Sequence, residues 1–115
     1  MNLLSNLTSI NLCGIYELDS GGRIIYCGMR SSDGYFKRNA NLIGSNFFDI
    51  ARFENIEDFR RRIKYFLQNS NSTEDFNFDC RFSESVSNVK VRLVRVSGRE
   101  SNENSSFVIV DIRSL

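Results

Sequence analysis

The chain has 115 residues, of which 41% are hydrophobic, and its formal net charge is +1. This length suits one domain, and the hydrophobic content excludes an intrinsically disordered chain. Fifteen Lys and Arg residues are balanced by fourteen Asp and Glu residues, so the sequence lacks the basic footprint of a nucleic-acid-binding protein. No apolar run approaches the roughly 20 residues of a membrane span. We therefore expect neither nucleic acid nor membrane as a partner.

The chain contains three cysteines and no histidine. It therefore lacks the imidazole of most acid–base catalysts and of many zinc and haem sites. Cys13, Cys27 and Cys80 are too widely spaced for a disulfide framework or a CxxC metal site. Free thiols suggest a reducing compartment, so a cytoplasmic protein is expected. Asp49, Glu57 and Asp58 could act as acids or bases, but nothing in the sequence pairs them with a nucleophile, and we do not expect an enzyme.

Residues 1–11 predict a short amphipathic helix, because their apolar side chains recur at helical spacing. These side chains are Leu3, Leu4, Leu7 and Ile10. A helix of this length is not stable alone. We expect it either to cap the domain formed by residues 12–115 or to form the interface of a symmetric homodimer.

The next elements are a hairpin and a helical region. Residues 13–19 and 23–27 predict a β-hairpin, since a glycine-containing turn joins two apolar runs. Residues 41–51 mix apolar and polar side chains and predict short helical turns that cover a sheet. A long helix is predicted after Asn55, a candidate N-cap followed by acidic residues in the first turn. Its apolar stripe consists of Ile56, Phe59, Ile63, Phe66 and Leu67.

Three strands are predicted in the last third of the chain. Residues 76–82 alternate between apolar and polar side chains, residues 89–96 alternate with one change of phase, and residues 107–112 are apolar enough for the centre of a sheet. The change of phase indicates a bulge or a strand end buried on both sides. The order of elements predicts an α+β fold, in which helices cover one face of a five-stranded antiparallel sheet.

This order, together with short motifs along it, resembles the PAS domain. Residues 17–26 are similar to the opening PAS hairpin, in which an acidic residue and glycines precede Arg-Ile. Residues 42–44 (Leu-Ile-Gly) resemble a PAS signal before the long helix, and residues 110–113 (Val-Asp-Ile-Arg) resemble the Asp-Ile-Thr ending of the last PAS strand. The resemblance covers about residues 12–113 and implies the PAS-like, profilin-like sheet with helices on one face.

The photoactive yellow protein branch of that family gives a closer resemblance. Residues 42–51 are similar to its Ile-Gly-x-Asn-Phe-Phe segment, and Tyr26 matches the tyrosine that hydrogen-bonds its chromophore. Where that branch has Ala-Pro-Cys, with a cysteine that carries the chromophore, this sequence has Ala51, Arg52 and Phe53. Phe53 cannot form a thioester, and no histidine is present for haem. The resemblance therefore implies a related fold without that photochemistry, and we expect no cofactor and no metal.

Ten phenylalanines are the notable excess of the composition. They could line an apolar ligand cavity between sheet and helices, or they could simply fill a small core. If a cavity exists, Tyr26 and Cys80 supply its polar groups. The candidate ligand-binding residues are Tyr26, Ile43, Phe48, Phe53, Phe59, Ile63, Phe78 and Cys80.

The resemblance implies a sensory signal-transduction module that binds a small apolar ligand or a protein partner. Binding would shift the population of sheet and N-terminal helix arrangements and pass the change to a kinase or other effector domain, in cis or in trans. The alternative is a ligand-free homodimerisation or protein-interaction scaffold. A large void beneath the helices would favour the sensor, and a filled core with paired N-terminal helices would favour the scaffold.

Overall fold

The computed structural model describes residues 6–30, 36–97 and 106–115. The strands are β1 (Gly14–Leu18), β2 (Ile24–Arg30), β3 (Phe36–Arg38), β4 (Thr73–Arg81), β5 (Val86–Ser97) and β6 (Ser106–Ser114). Between β3 and β4 lie a 3-10 turn (Ala40–Leu42) and the helices α1 (Phe47–Ile50) and α2 (Ile56–Gln68). Within the described residues, the strands form one six-stranded antiparallel sheet in the order β3-β2-β1-β6-β5-β4.

Both helices lie on the same face of this sheet. Phe47 of α1 packs against Tyr16 of β1, and Phe59 of α2 packs against Phe78 of β4, in each case with ring centroids 5.1 Å apart. The predicted α+β class, with helices on one face of an antiparallel sheet, is confirmed. The sheet has one strand more than the five expected, because β3 pairs with the end of β2. A strand of three residues is too short for an alternating pattern to reveal it.

The segment before β1 differs from the predicted helix. Residues 6–11 form a turn and an isolated bridge. The Leu7 amide donates to the Ile50 carbonyl at 2.8 Å, and the Leu7 carbonyl accepts from the Arg52 amide at 3.2 Å. Leu7 is fully buried, whereas Ile10 is 93% exposed. The helix prediction is therefore wrong for residues 6–11, because Leu7 finds its backbone partners beside α1. Leu3 and Leu4 lie outside the described residues.

The β1–β2 hairpin contains a bulge that changes the direction of the β2 side chains. Glu17 pairs with Tyr26, but its neighbour Leu18 pairs with Ile24, so Ile25 is an extra residue in β2. An extra residue shifts the alternation by one position. As a result Tyr26 lies on the face opposite to the helices, while Cys27 lies on the helix face and is buried.

Side-chain hydrogen bonds connect both ends of α2 to the sheet. Asn55 is the N-cap residue of α2, as predicted, but its side chain makes no cap hydrogen bond to the helix. Its amide instead contacts β4: Nδ2 donates to the Asp79 carbonyl at 2.8 Å, and Oδ1 accepts from the Arg81 amide at 3.0 Å. At the other end, the Arg95 guanidinium of β5 donates to the carbonyls of Phe66 and Asn69, both at 2.6 Å. Arg95 thus supplies donors to carbonyls at the end of the helix, of which that of Phe66 also accepts from the Asn69 amide at 3.3 Å.

Candidate functional site

The sheet has an inner face, which α1 and α2 cover, and an outer face on the opposite side. In β1, β5 and β6 the inner-face side chains are buried, and they alternate along each strand with side chains on the outer face. The buried inner-face residues of β1, β5 and β6 are Tyr16, Leu18, Val89, Val91, Leu93, Val108, Val110 and Ile112. The space between these side chains and the helices is the place where the sequence predicts a ligand.

A cluster of phenylalanines occupies that space. We call this set the ring cluster: Phe47, Phe53, Phe59, Phe76, Phe78 and Phe82. Neighbouring ring centroids in the cluster lie between 5.1 and 6.3 Å apart, mostly edge to face. This is the separation at which aromatic side chains pack in direct contact. The rings therefore fill the region beneath the helices with the chain's own side chains.

Most of the predicted ligand-binding residues meet in this core. Phe53, Phe59, Ile63 and Cys80 are buried, and Phe78 packs against them. The role of these residues in ligand binding stays a prediction, but the structure brings their side chains together.

Two predicted residues lie at the margin of the core. Phe48 is half-buried, packs edge to face against Phe47 at 5.6 Å, and has the Arg60 guanidinium 5.1 Å from its ring centroid. Ile43 is half-buried next to the 3-10 turn. Neither side chain adds a polar group to the space beneath the helices.

Tyr26 does not join the other candidates. Its side chain is 40% exposed and lies opposite Glu17 on the outer face. The expectation that it supplies a polar group to the core is wrong, because the bulge at Ile25 reverses its direction.

The three thiols are unreactive at neutral pH. Desolvation raises the pKa of Cys27 to about 11 and the pKa of Cys80 to about 12. Burial also raises the pKa of Cys13, which is half-buried. A thiol reacts as a nucleophile only when it is deprotonated. At neutral pH these three groups are protonated, and they act as small apolar side chains rather than as reactive groups.

The outer face carries ion pairs that the sequence analysis did not identify. Arg92 of β5 donates to both carboxylate oxygens of Asp75 on β4, at 2.8 and 3.1 Å, and these hydrogen bonds lower the pKa of Asp75. On β6, Asp111 accepts from Arg30 at 2.9 Å and from Arg113 at 3.2 Å. Cross-strand register places Arg92 beside Asp111, so positive and negative groups alternate across the sheet. The period-two pattern predicts that such residues point outward, but not which strands become neighbours.

The geometry of the described residues limits the other classes of site. No group of three or more Cys, Asp or Glu side chains in this part of the chain is placed to hold a metal ion. No described helix is long and apolar enough to cross a bilayer.

Sequence comparison and structural comparison give different results for this chain. No family model matches the sequence, and no curated protein matches it. Among solved structures, it is similar to the PAS domain of BvgS from Bordetella pertussis, with a TM-score of 0.55, 18% identity, and coverage of 98% of this chain and 82% of that one. The chain has a PAS fold.

A second solved PAS domain leads to the same conclusion. The PAS domain of an HTR-like protein from Haloarcula marismortui has a TM-score of 0.50 and 16% identity, with coverage of 89% of this chain and 80% of that one. At such identities the likeness establishes the fold alone. The closer resemblance to the photoactive yellow protein branch stays a prediction. In this PAS fold the ring cluster lies between sheet and helices, and the ion pairs lie on the outer face.

Proposed function

We propose that this chain is a PAS-type signal-transduction module that works by contact with a protein partner. The observation that carries the proposal is the ring cluster. A small ligand beneath the helices would have to displace at least one of its rings. Removal of a buried phenylalanine typically costs about 3–5 kcal/mol, so a ligand would have to recover that loss before it bound at all.

The composition of the outer face is a second argument for a protein partner. Ile15, Val94 and Ile109 are half-buried there and lie beside the ion pairs of Asp111 and Asp75. Protein interfaces combine an apolar centre with a polar rim in this way. Because carboxylates and guanidinium groups share one face, a second copy related by a two-fold axis can pair them reciprocally. We therefore propose the homodimer as the first assembly, with a kinase or other effector, in cis or in trans, as the recipient of the signal.

The ties between α2 and the sheet provide a route for the signal. Asn55 links the start of α2 to β4, and Arg95 links its end to β5. A contact that changes the twist of β4 and β5 on the outer face therefore pulls on both ends of α2. In this proposal, partner binding favours one arrangement of sheet and helix over another.

The proposal is tested by the oligomeric state of outer-face variants. Light scattering after size exclusion should give a dimer mass for the wild-type chain and a monomer mass for Ile109→Arg, which places a charge at the centre of the outer face. Val86→Arg is the matched control, because Val86 is already 55% exposed at the β4–β5 turn, and it should remain dimeric. A monomeric wild-type chain, or a dimer that persists in Ile109→Arg, would contradict the homodimer. Urea unfolding of each variant checks that the domain is folded.

A further inference from the structure

The strand β4 forms one edge of the sheet. It pairs with β5 along its whole length, from Thr73 opposite Val94 to Arg81 opposite Val86. On its other side, no strand pairs with it among residues 6–30, 36–97 and 106–115. An unpaired strand edge presents backbone donors and acceptors that another extended segment can use.

The direction of these backbone groups follows from the bonds at the two ends of β4. The Ser72 carbonyl accepts from the Arg95 amide at 2.8 Å, so it faces β5. The Asp79 carbonyl and the Arg81 amide face away from β5, toward Asn55. The N–H and C=O of one strand residue point to the same side, and the side alternates along the strand. Asp75 and Asn77 therefore present their amides and carbonyls at the open edge, where no described residue binds them.

Asn55 already occupies the end of this edge as an added strand would. Its side-chain amide supplies one donor and one acceptor to the backbone of Asp79 and Arg81, at 2.8 and 3.0 Å. This is the pair of bonds that a residue of a neighbouring strand makes. The Glu54 amide also donates to the Arg81 carbonyl at 2.6 Å. The edge is thus closed from the Asp79 carbonyl to Arg81 and open at Asp75 and Asn77.

A groove runs beside the open edge on the side of α2. Its volume is about 410 Å³, and it is lined by Asp58, Arg61, Arg62, Tyr65 and Phe78. Tyr65 of α2 is 68% exposed, so its ring presents a large aromatic surface to this groove. Apolar side chains of an added strand would enter this groove and contact Tyr65 and Phe78.

The other side of the edge carries two carboxylates. Asp75 and Asp79 lie on the outer face of β4, with Asn77 between them. A second copy added antiparallel about Asn77 would place Asp75 opposite Asp79, and like charges at opposed positions destabilise strand pairing. Arg92 already pairs with Asp75, whereas Asp79 accepts from the Asn88 side-chain amide at 2.6 Å and pairs with no cation among the described residues. Basic residues of an added strand would give Asp79 a cation and Asp75 a second one. The edge therefore favours a segment of another protein over a second copy of this chain.

We propose that the open edge of β4 binds an extended segment of a partner protein, in which apolar residues alternate with basic residues, by adding a strand to the sheet. The backbone of the segment bonds to Asp75 and Asn77. Its basic side chains lie beside Asp75 and Asp79, and its apolar side chains enter the groove beside α2. This site goes beyond the proposed homodimer, because it uses the edge of the sheet and not its outer face.

Fluorescence anisotropy with a labelled synthetic peptide, in which valines alternate with lysines, tests the site. The full chain should bind this peptide. Two control peptides should bind at least about tenfold more weakly: one with its valines and lysines in separate blocks, and one with glutamate in place of lysine. N-methylation of the amides that face β4 should also weaken binding by about tenfold, or about 1.4 kcal/mol. Equal binding of the alternating and N-methylated peptides, or no binding of the alternating peptide, would overturn the proposal.

Two protein variants locate the peptide on the chain. Asn77→Pro removes the outward-facing amide without removing a bond to β5, and it should weaken binding by about tenfold. Asn77→Ala keeps that amide and should bind within about twofold of wild type. If the proline variant fails to fold, the N-methylated peptide still decides the question with the wild-type chain. Ile109→Arg should bind the peptide normally even where it abolishes the dimer, so failure of the homodimer and failure of this site are distinguishable.

Discussion

Replacement of Phe59 by alanine is the most informative perturbation of the core. Phe59 is fully buried, and its ring packs against Phe53 at 5.7 Å and Phe78 at 5.1 Å between centroids. Removal of a buried phenylalanine costs about 3–5 kcal/mol, and a ring enclosed by other rings should fall near the upper end of that range. A domain of this kind has a total stability of about 5–15 kcal/mol. Phe59→Ala should therefore remove a large part of the free energy of unfolding.

Urea unfolding followed by circular dichroism measures this loss. With a slope of about 1–3 kcal/mol per molar urea, the midpoint should fall by about 2 M. Tyr65→Ala on the same helix is the control, because Tyr65 is 68% exposed and its removal should change stability by no more than about 0.5 kcal/mol. A loss below about 1 kcal/mol in Phe59→Ala would refute the reasoning. It would mean that the ring cluster surrounds a void, in which a small ligand could bind.

Two further predictions concern the ties of α2 and the thiols. Arg95→Met keeps the aliphatic stem but removes the donors to the α2 carbonyls, so it should lower the free energy of unfolding by about 1–3 kcal/mol. The exposed control Arg113→Met should change the free energy of unfolding by less than about 0.5 kcal/mol. Equal effects of the two variants would show that the Arg95 hydrogen bonds do not stabilise the helix. The folded-state pKa values of about 11 for Cys27 and about 12 for Cys80 exceed the ordinary value of 9.0, so the native state retains protons that the unfolded state loses. Stability should be complete below about pH 9 and fall toward pH 11. A double Cys-to-Ala variant at these positions should lose part of that dependence, and an unchanged pH profile would contradict the assigned burial.

Local periodicity predicted the long elements well. The helix after Asn55 is observed as Ile56–Gln68, because its apolar residues recur every three or four positions and all face the sheet. The alternation predicted for residues 76–82 is observed in β4, Thr73–Arg81, with Phe82 just after the end of the strand. These elements are long enough for one buried face to show in the order of residue types.

The mistakes have physical causes that a single sequence does not record. Simple alternation from Ile24 places Tyr26 on the inner face, but the extra residue Ile25 moves it to the outer face. Leu7 fits a helical stripe, yet its backbone pairs with the segment at α1. Asn55 is the N-cap residue as predicted, yet its side chain bonds to the backbone of β4 and not to the first helical turn. In each case a contact between residues distant in sequence overrides a local preference.

The sequence predicts a filled aromatic core only as one of two alternatives, the other being a ligand cavity. The sequence contains the phenylalanines in alternation and at helical spacing, which places them between sheet and helices. Whether they surround a cavity or fill it depends on side-chain packing across Phe53, Phe59 and Phe78, which lie on different elements. Residue order carries no direct signal of such packing.

Native mass spectrometry of the purified chain, together with its absorption spectrum, tests the central claim most directly. A core filled by its own rings predicts masses equal to whole multiples of the chain and no absorption band beyond those of tyrosine and phenylalanine. A copurified small molecule that leaves only when the protein unfolds, or a visible absorption band, would contradict the claim that the ring cluster leaves no place for a ligand.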